Sequence, residues 1–254
     1  MEIDILKINR NKKDNFKDIV IEEIPLTIYL NDKELLTLSC SPDNLKELSI
    51  GFLFSVGLVK KFKEIKDIII DSQKWASYVT LRNNDYPSEF LFKRLYTSGC
   101  GRGAIFYNAL DQMHRKQIVN DFKISDQKIF ELMKSFEKKS VTYRKTGGVH
   151  SAALSDSKDI LIFKEDIGRH NAIDKVIGEA LMRNLSIKDL IVLTSGRISS
   201  DVMFKIQKMD SCLVISRSAP TDQAVKLAKS WNVTLVGFAR GQRMNVYTAK
   251  ERVI

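Results

Sequence analysis

The chain has 254 residues, room for one large domain or two modest ones, and its 44% hydrophobic and 28% charged residues with only 12 Gly and 4 Pro exclude a disordered, collagenous or linker-dominated chain. Lys and Arg total 41 against 31 acids, a net charge of +10 that calls for a negatively charged ligand or partner without choosing among nucleic acid, anionic lipid, nucleotide and acidic protein. The longest apolar run, Leu48 to Val59, falls short of the roughly 20 residues that span a bilayer, so no transmembrane helix is expected.

The opening MEIDILKINRNKKD mixes charges from its second residue and carries no signal-peptide core, which predicts residence in the cytoplasm. Asn9–Lys17 is polar throughout and reads as a mobile arm. Two strands follow, IVIEEIPLTIYL and ELLTLSC, joined at Asn31-Asp32-Lys33 by a turn of hairpin type. Ser41-Pro42-Asp43 starts a helix whose Leu45, Leu48, Phe52 and Val56 recur at helical spacing. Shorter strands are read at Ile68–Ile70 and Tyr78–Leu81, and Tyr96–Gly103, with Gly99, Gly101 and Gly103, as a surface loop.

Between Gly103 and Gly147 there is neither Gly nor Pro, and Ile129, Leu132, Met133 and Phe136 lie on one helical face behind a Ser125 cap, so this stretch is expected to be helical. From Ile160 onward apolar runs alternate with amphipathic helices: strands at Ile160–Phe163, Leu190–Leu193, Cys212–Ile215 and Thr234–Phe238, helices at Ile173–Leu181, Val202–Met209 and Ala224–Ala228. Strands that are continuously apolar and separated by single helices predict a parallel sheet covered on both faces.

Open parallel sheets bind ligands beyond the carboxyl ends of their strands. Each such loop here carries arginine: Arg169 beside His170, Arg197 beside Ser195, Arg217 beside Ser218, and Arg240 with Arg243. Guanidinium forks match phosphate oxygens, and Ser, Thr and Gly near helix starts free backbone N–H groups for the same anion. The plainer alternative pairs these arginines with Asp166, Asp201 and Asp222. Four loops together favour a phosphate or nucleotide pocket, and the absence of GxxxxGK[ST] and GxGxxG argues against a P-loop NTPase or a dinucleotide-dependent dehydrogenase.

Three widely spaced cysteines suggest neither a disulfide framework nor a zinc ribbon. Cys40 and Cys212 lie in apolar strands and read as buried, whereas Cys100, between Gly99 and Gly101 and near Arg94 and Arg102, has the setting of a reactive thiol. His114 reads as a surface residue. His150 and His170 flank glycine-bearing turns, where either a buried structural histidine or a base or phosphate donor fits. Without HxE or CxxC no zinc site is expected.

The run EDIGRHNAIDKVIGEAL (Glu165–Leu181), with TGGVHSAAL (Thr146–Leu154), LTSGR (Leu193–Arg197), SAPT (Ser218–Thr221) and GFARGQRMNVYT (Gly237–Thr248), closely resembles the formate dehydrogenase accessory sulfurtransferases, the FdhD family. IPLTIYLNDKELLTLSCSP and GFLFSVGLV extend the resemblance over nearly the whole chain.

The resemblance implies an α/β fold: a cytidine-deaminase-like αβα sandwich without the zinc site over residues 104–254, preceded by a smaller α+β domain over 1–103 that ends in the reactive cysteine loop. It implies a sulfurtransferase that takes persulfide sulfur from a cysteine desulfurase and delivers it to the molybdenum cofactor, Mo-bis(molybdopterin guanine dinucleotide), of formate dehydrogenase. Cys100 would carry the persulfide, and Phe238, Ala239, Arg240, Gly241, Gln242 and Arg243 would bind the cofactor, joined by Arg169, His170, Ser195, Arg197 and Ser218 from the strand-end reading. A guanine nucleotide should mimic part of that ligand. A homodimer is expected, with no nucleic acid, membrane or resident metal. Where many family members have CxxC, this chain has Cys100-Gly101-Arg102-Gly103, which leaves no second cysteine for a relay. The alternatives are a cofactor-holding chaperone that passes no sulfur and, well behind it, a nucleic-acid binder.

Overall fold

The computed structural model describes residues 1–254 except Asn11, 84–93, 97–103, 107–116 and Asp189, with backbone alone for 94–96 and 104–106. Cys100, Arg102, His114 and the division at residue 103 therefore lie outside the described residues, and the side chain of Arg94 with them.

The chain opens with an antiparallel ribbon, β1 (Glu2–Asn9) and β2 (Lys12–Ile19), turning at Arg10, whose φ is 54°. The arm expected at Asn9–Lys17 is thus largely a strand. Charged residues occupy most of β2, so its pairing rests on backbone hydrogen bonds and leaves no apolar periodicity to read. Lys7 lies over the Phe16 ring, 4.7 Å from its centroid.

β3 (Ile24–Leu30) and β4 (Lys33–Cys40) form the expected hairpin, and β5 (Ile65–Asp71) and β6 (Ala76–Leu81) join them in a four-stranded sheet ordered β4-β3-β6-β5. Between them runs α1 (Leu45–Val56), closed by Gly57 at φ 88°, a left-handed position that glycine takes without a Cβ clash. β7 (Arg94–Tyr96) and β8 (Ala104–Phe106) pair with each other, so the stretch after Gly103 begins as strand rather than helix. Residues 117–123 are also non-helical, and Ile124 bridges to Val253. The helix foreseen behind Ser125 is α2 (Asp126–Lys139), its cap made by Ser125 Oγ accepting from Lys128 N–H; α3 (Val141–Thr146) follows.

The second half holds β9 (His150–Ser155), β10 (Ile160–Asp166), α4 (Arg169–Met182), β11 (Ile191–Thr194), α5 (Ser200–Lys208), β12 (Leu213–Ser216), α6 (Asp222–Ser230), β13 (Thr234–Arg240) and β14 (Arg243–Val246). Its sheet is ordered β10-β9-β11-β12-β13-β14 and is mixed, correcting the all-parallel expectation: only β11, β12 and β13 are adjacent parallel strands. β9 turns straight back into β10, and β13 into β14, connections too short for anything but antiparallel pairing. Both added strands escaped the sequence reading, β9 because small residues follow its glycine turn and β14 because its alternation covers only four residues. Every residue of β11 and β12 is buried, so both faces of the sheet centre are covered as expected.

α4 packs on β9 and β10 and, across its other side, on α1. One hydrophobic cluster accordingly runs from Leu26, Ile28 and Leu53 to Ile173, Val192 and Val214, all fully buried, and each such side chain contributes roughly 1.5–3 kcal/mol by leaving water.

Candidate functional site

Strand directions bring the site residues together. β10, β11, β12 and β13 run the same way, so the loops after Asp166, Thr194, Ser216 and Arg240 emerge at one edge of the sheet. Because β9 and β14 run against their neighbours, their first residues, His150 and Arg243, reach that edge too. His150, whose glycine-bearing turn fits either a buried structural histidine or a base or phosphate donor and which is not among the expected cofactor-binding residues, is brought to the edge by the strand that follows Thr146-Gly147-Gly148.

The loops are tied to one another in sequence across the edge. The Arg169 side chain lies against Gly196, where an added Cβ would meet Arg169 Cβ at 2.9 Å. Ser216 Oγ donates to the Gly196 carbonyl at 2.6 Å and accepts from Ser218 N–H at 2.9 Å. Phe238 N–H donates to the Ser218 carbonyl at 3.1 Å, and Arg240 Nε to the Arg217 carbonyl at 2.8 Å. Arg169, Ser195, Arg197, Ser218, Phe238 and Arg240 to Arg243 thus share one surface. Ala239 is fully buried and can serve the edge only through its backbone.

The foundation of this edge is a buried ion pair that the sequence did not announce. Lys175 Nζ and Asp166 Oδ2, both fully buried, stand 2.7 Å apart. Asp166 also accepts from Ser41 N–H and Oγ–H, from Asn171 Nδ2–H and from Gly168 N–H at 2.8–3.2 Å. The carboxylate is therefore saturated, as a buried charge must be, and it fixes the turn that delivers Arg169. Nearby, Lys205 on α5 holds Asp174 at 2.5 Å, and Ser55 of α1 donates to the same carboxylate.

These pairs settle how the arginines are compensated. Asp166 belongs to Lys175, Asp222 to Lys226 at 3.1 Å, and Arg217 to Glu137 at 3.1 Å. Among the described residues Arg197, Arg240 and Arg243 form no ion pair, and all three are exposed. Phe238 stands exposed beside them at φ 53°, a conformation that costs a bulky residue energy and is held by the Ser218 hydrogen bond and the bulge after Gly237.

Two histidines sit where the edge meets α4. His150 Nδ1 lies 3.3 Å from Ser195 Oγ, and burial with the Arg169 charge holds the imidazole below its usual pKa. His170 points inward: burial, then Lys205, Arg169 and His150, press its pKa down to about 3, and its Nε2 is buried with no hydrogen-bond partner among the described residues. Both are neutral near pH 7.

Cys40 and Cys212 are buried as expected, and burial followed by the Asp166 charge pushes the Cys40 thiol up to about 12. Neither can stand in for the second cysteine missing at Gly103. Among the described residues no group of three or more His, Cys, Asp or Glu could hold a metal ion, and no helix is long and apolar enough to cross a membrane.

The sequence profile of the FdhD/NarQ family matches residues 21–254. Among curated relatives, the sulfur carrier protein FdhD of Bacillus pumilus (strain SAFR-032) is 43% identical, with 93% of this chain and 90% of that protein covered. Its counterpart of the same name in Bacillus subtilis (strain 168) is 41% identical over 98% and 96% of the two chains. A crystal structure of a provisionally assigned formate dehydrogenase accessory protein from Desulfotalea psychrophila superposes with a TM-score of 0.79 at 27% identity, covering 100% of this chain and 99% of that one.

Proposed function

Since this chain belongs to the FdhD/NarQ family, we propose that it is a sulfur carrier serving formate dehydrogenase, with Cys100 as the carrier thiol and the strand-end edge as the seat of its substrate. In the loading step, the Cys100 thiolate attacks the outer sulfur of a persulfide on a cysteine desulfurase. The new S–S bond forms as the desulfurase cysteine leaves as thiolate, so no external oxidant is required. The outer sulfur would then pass to the molybdenum cofactor, Mo-bis(molybdopterin guanine dinucleotide), which is substrate here and not a resident group. The S–S bond breaks, Cys100 leaves as thiolate, and the two electrons that take the sulfur to the sulfide level come from the reduced cofactor or an added thiol reductant.

The observation that carries this reading is the set of exposed guanidinium groups at the edge that form no ion pair among the described residues. They are those of Arg197, Arg240 and Arg243, and a row of exposed cations beside serine hydroxyls and an exposed aromatic ring is complementary to a phosphate-bearing planar heterocycle. The pterin dinucleotide has both parts, and a free guanine nucleotide has enough of them to bind. The deaminase-like architecture, the two-domain division at residue 103, a homodimer and a cytoplasmic location complete the proposal.

The test is intact-mass analysis after incubation with an active cysteine desulfurase and cysteine, followed by peptide mapping. A reducible sulfur adduct on Cys100, absent in Cys100→Ala, together with loss of formate dehydrogenase activation by that variant, is expected. Full activation by Cys100→Ala would instead leave a cofactor-holding chaperone that passes no sulfur, the reading that Gly103 leaves open.

A further inference from the structure

His150 reaches the edge only because β9 runs against β10 and β11, and the bond it makes there is directional. Ser195 Oγ accepts from Ser151 N–H at 2.9 Å and lies 3.3 Å from His150 Nδ1. Ser195 Oγ has a second lone pair, so the contact admits either neutral tautomer of His150; in the one with its proton on Nε2, Nδ1 accepts the Ser195 hydroxyl hydrogen. The Nε2–H makes no hydrogen bond among the described residues.

The charged and titratable groups around this pair come from three elements. Asp166, the cross-strand partner of His150 on β10, is saturated by Lys175, Ser41, Asn171 and Gly168. From α4 come Arg169, packed on Gly196 next to Ser195, and the neutral His170; behind them on α5, Lys205 acts on His170 and Asp201 on Arg169. In the free protein burial, then the Arg169 charge, oppose a second cation on His150, and Asp166 offsets them only in part. An anion at Arg169 reverses that balance.

The geometry points to His150 and Ser195 as a proton-coupled clamp for the phosphate of the bound nucleotide, an assignment that rests on the reading of this edge as the nucleotide site. When the anion arrives, His150 takes a proton from solvent at Nδ1 and the His150–Ser195 hydrogen bond turns round. Ser195 Oγ now accepts from both Ser151 N–H and His150 Nδ1–H. Its hydroxyl hydrogen is released toward a phosphate oxygen, while His150 Nε2–H becomes a charge-assisted donor. One proton taken up thus yields one new positive charge and one new donor, with no other bond made or broken.

Titration calorimetry of the full chain with guanosine diphosphate near pH 7, in two buffers of different ionisation enthalpy, reads the coupling directly. Uptake of roughly half a proton per nucleotide is expected, lost in both His150→Gln and Ser195→Ala, with wild-type affinity falling about fourfold from pH 6.5 to 8.5 and the variants nearly flat. The wild-type proton count is decisive even if one variant does not fold. Nucleotide binding with no proton uptake, or with uptake unchanged in both variants, overturns the clamp while leaving the nucleotide site in place. No binding of guanosine diphosphate to the wild type overturns both.

Discussion

A Cβ placed on Gly51 would stand 1.8 Å from the carbonyl oxygen of Asp174, so α1 and α4 meet backbone to backbone where they cross. Gly178 repeats the relationship in the other direction, its Cβ position lying 1.9 Å from the carbonyl oxygen of Glu47. Two mid-helix glycines, each unfavourable for helix propensity by about 1 kcal/mol, are explained by this crossing, which joins the four-stranded sheet's helix to the site's helix.

Gly51→Ala and Gly178→Ala should therefore force the helices apart and destabilise the protein by about 3 kcal/mol each, a fall in melting temperature of roughly 6–12 °C. Gly241→Ala, with nothing within 4 Å of its Cβ position and only its φ of 57° to strain it, should cost about 1 kcal/mol. Thermal unfolding of the three variants ranks them, and equal midpoints would contradict the close crossing.

Lys175→Met should cost about 3–5 kcal/mol, because it strands the Asp166 carboxylate in the core. Adding Asp166→Asn should recover part of that loss, since an amide needs no counter-charge. Urea unfolding of the single and double variants gives the comparison, and a double variant less stable than Lys175→Met would refute the account.

His170 links stability to acid. Its imidazole stays neutral in the fold down to about pH 3, whereas the unfolded chain protonates it from about 6.5. The unfolded state thus binds more protons between these values. The stabilisation is complete above about pH 6.5 and drains away as pH falls, by roughly 2 kcal/mol at pH 5 from this group alone. His150, shifted in the same direction, adds to it. Denaturant midpoints across pH 5 to 8 should slope accordingly, and His170→Gln should flatten the slope.

Thiol labelling of the native chain near pH 8 should leave Cys40 and Cys212 untouched, for both are buried and Cys40 is shifted to about 12. In Cys100→Ser, incorporation should approach zero until denaturant is added. Fast labelling of either remaining cysteine would show that the burial is wrong.

Arg240→Ala should weaken guanosine diphosphate binding about tenfold, because Nε is anchored on the Arg217 carbonyl and the terminal nitrogens remain for the anion. Arg183→Ala, just past the far end of α4 and paired with Glu179, should leave affinity unchanged. Equilibrium dialysis with labelled nucleotide distinguishes the two.

Local patterns in the chain were enough for β3 and β4 around Asn31, for α1, for α2 behind Ser125, and for the strands and helices after Ile160. Each rests on a periodicity or cap that neighbours in sequence supply. The arginine loops were legible for the same reason, since a strand followed by a helix announces its own carboxyl end. The motifs from Thr146 to Thr248 also carried the family, and the match over residues 21–254 bears that out.

Tertiary structure alone decided what depends on partners distant in the chain. β2 has no apolar pattern and β14 only a four-residue alternation of Met244 and Val246, too short to announce a strand, so backbone pairing defines them. The Lys175–Asp166 pair and its Ser41 ligand span 125 residues of sequence between Ser41 and Asp166, and no local signal marks a lysine that the fold will bury completely. His150 is the plainest case: its residue type and its glycine turn were visible, but its place beside Ser195 and Arg169 follows from β9 running antiparallel between β10 and β11. Strand direction is set by which edges the packed sheet leaves available, a property of the assembled core and not of any segment within it.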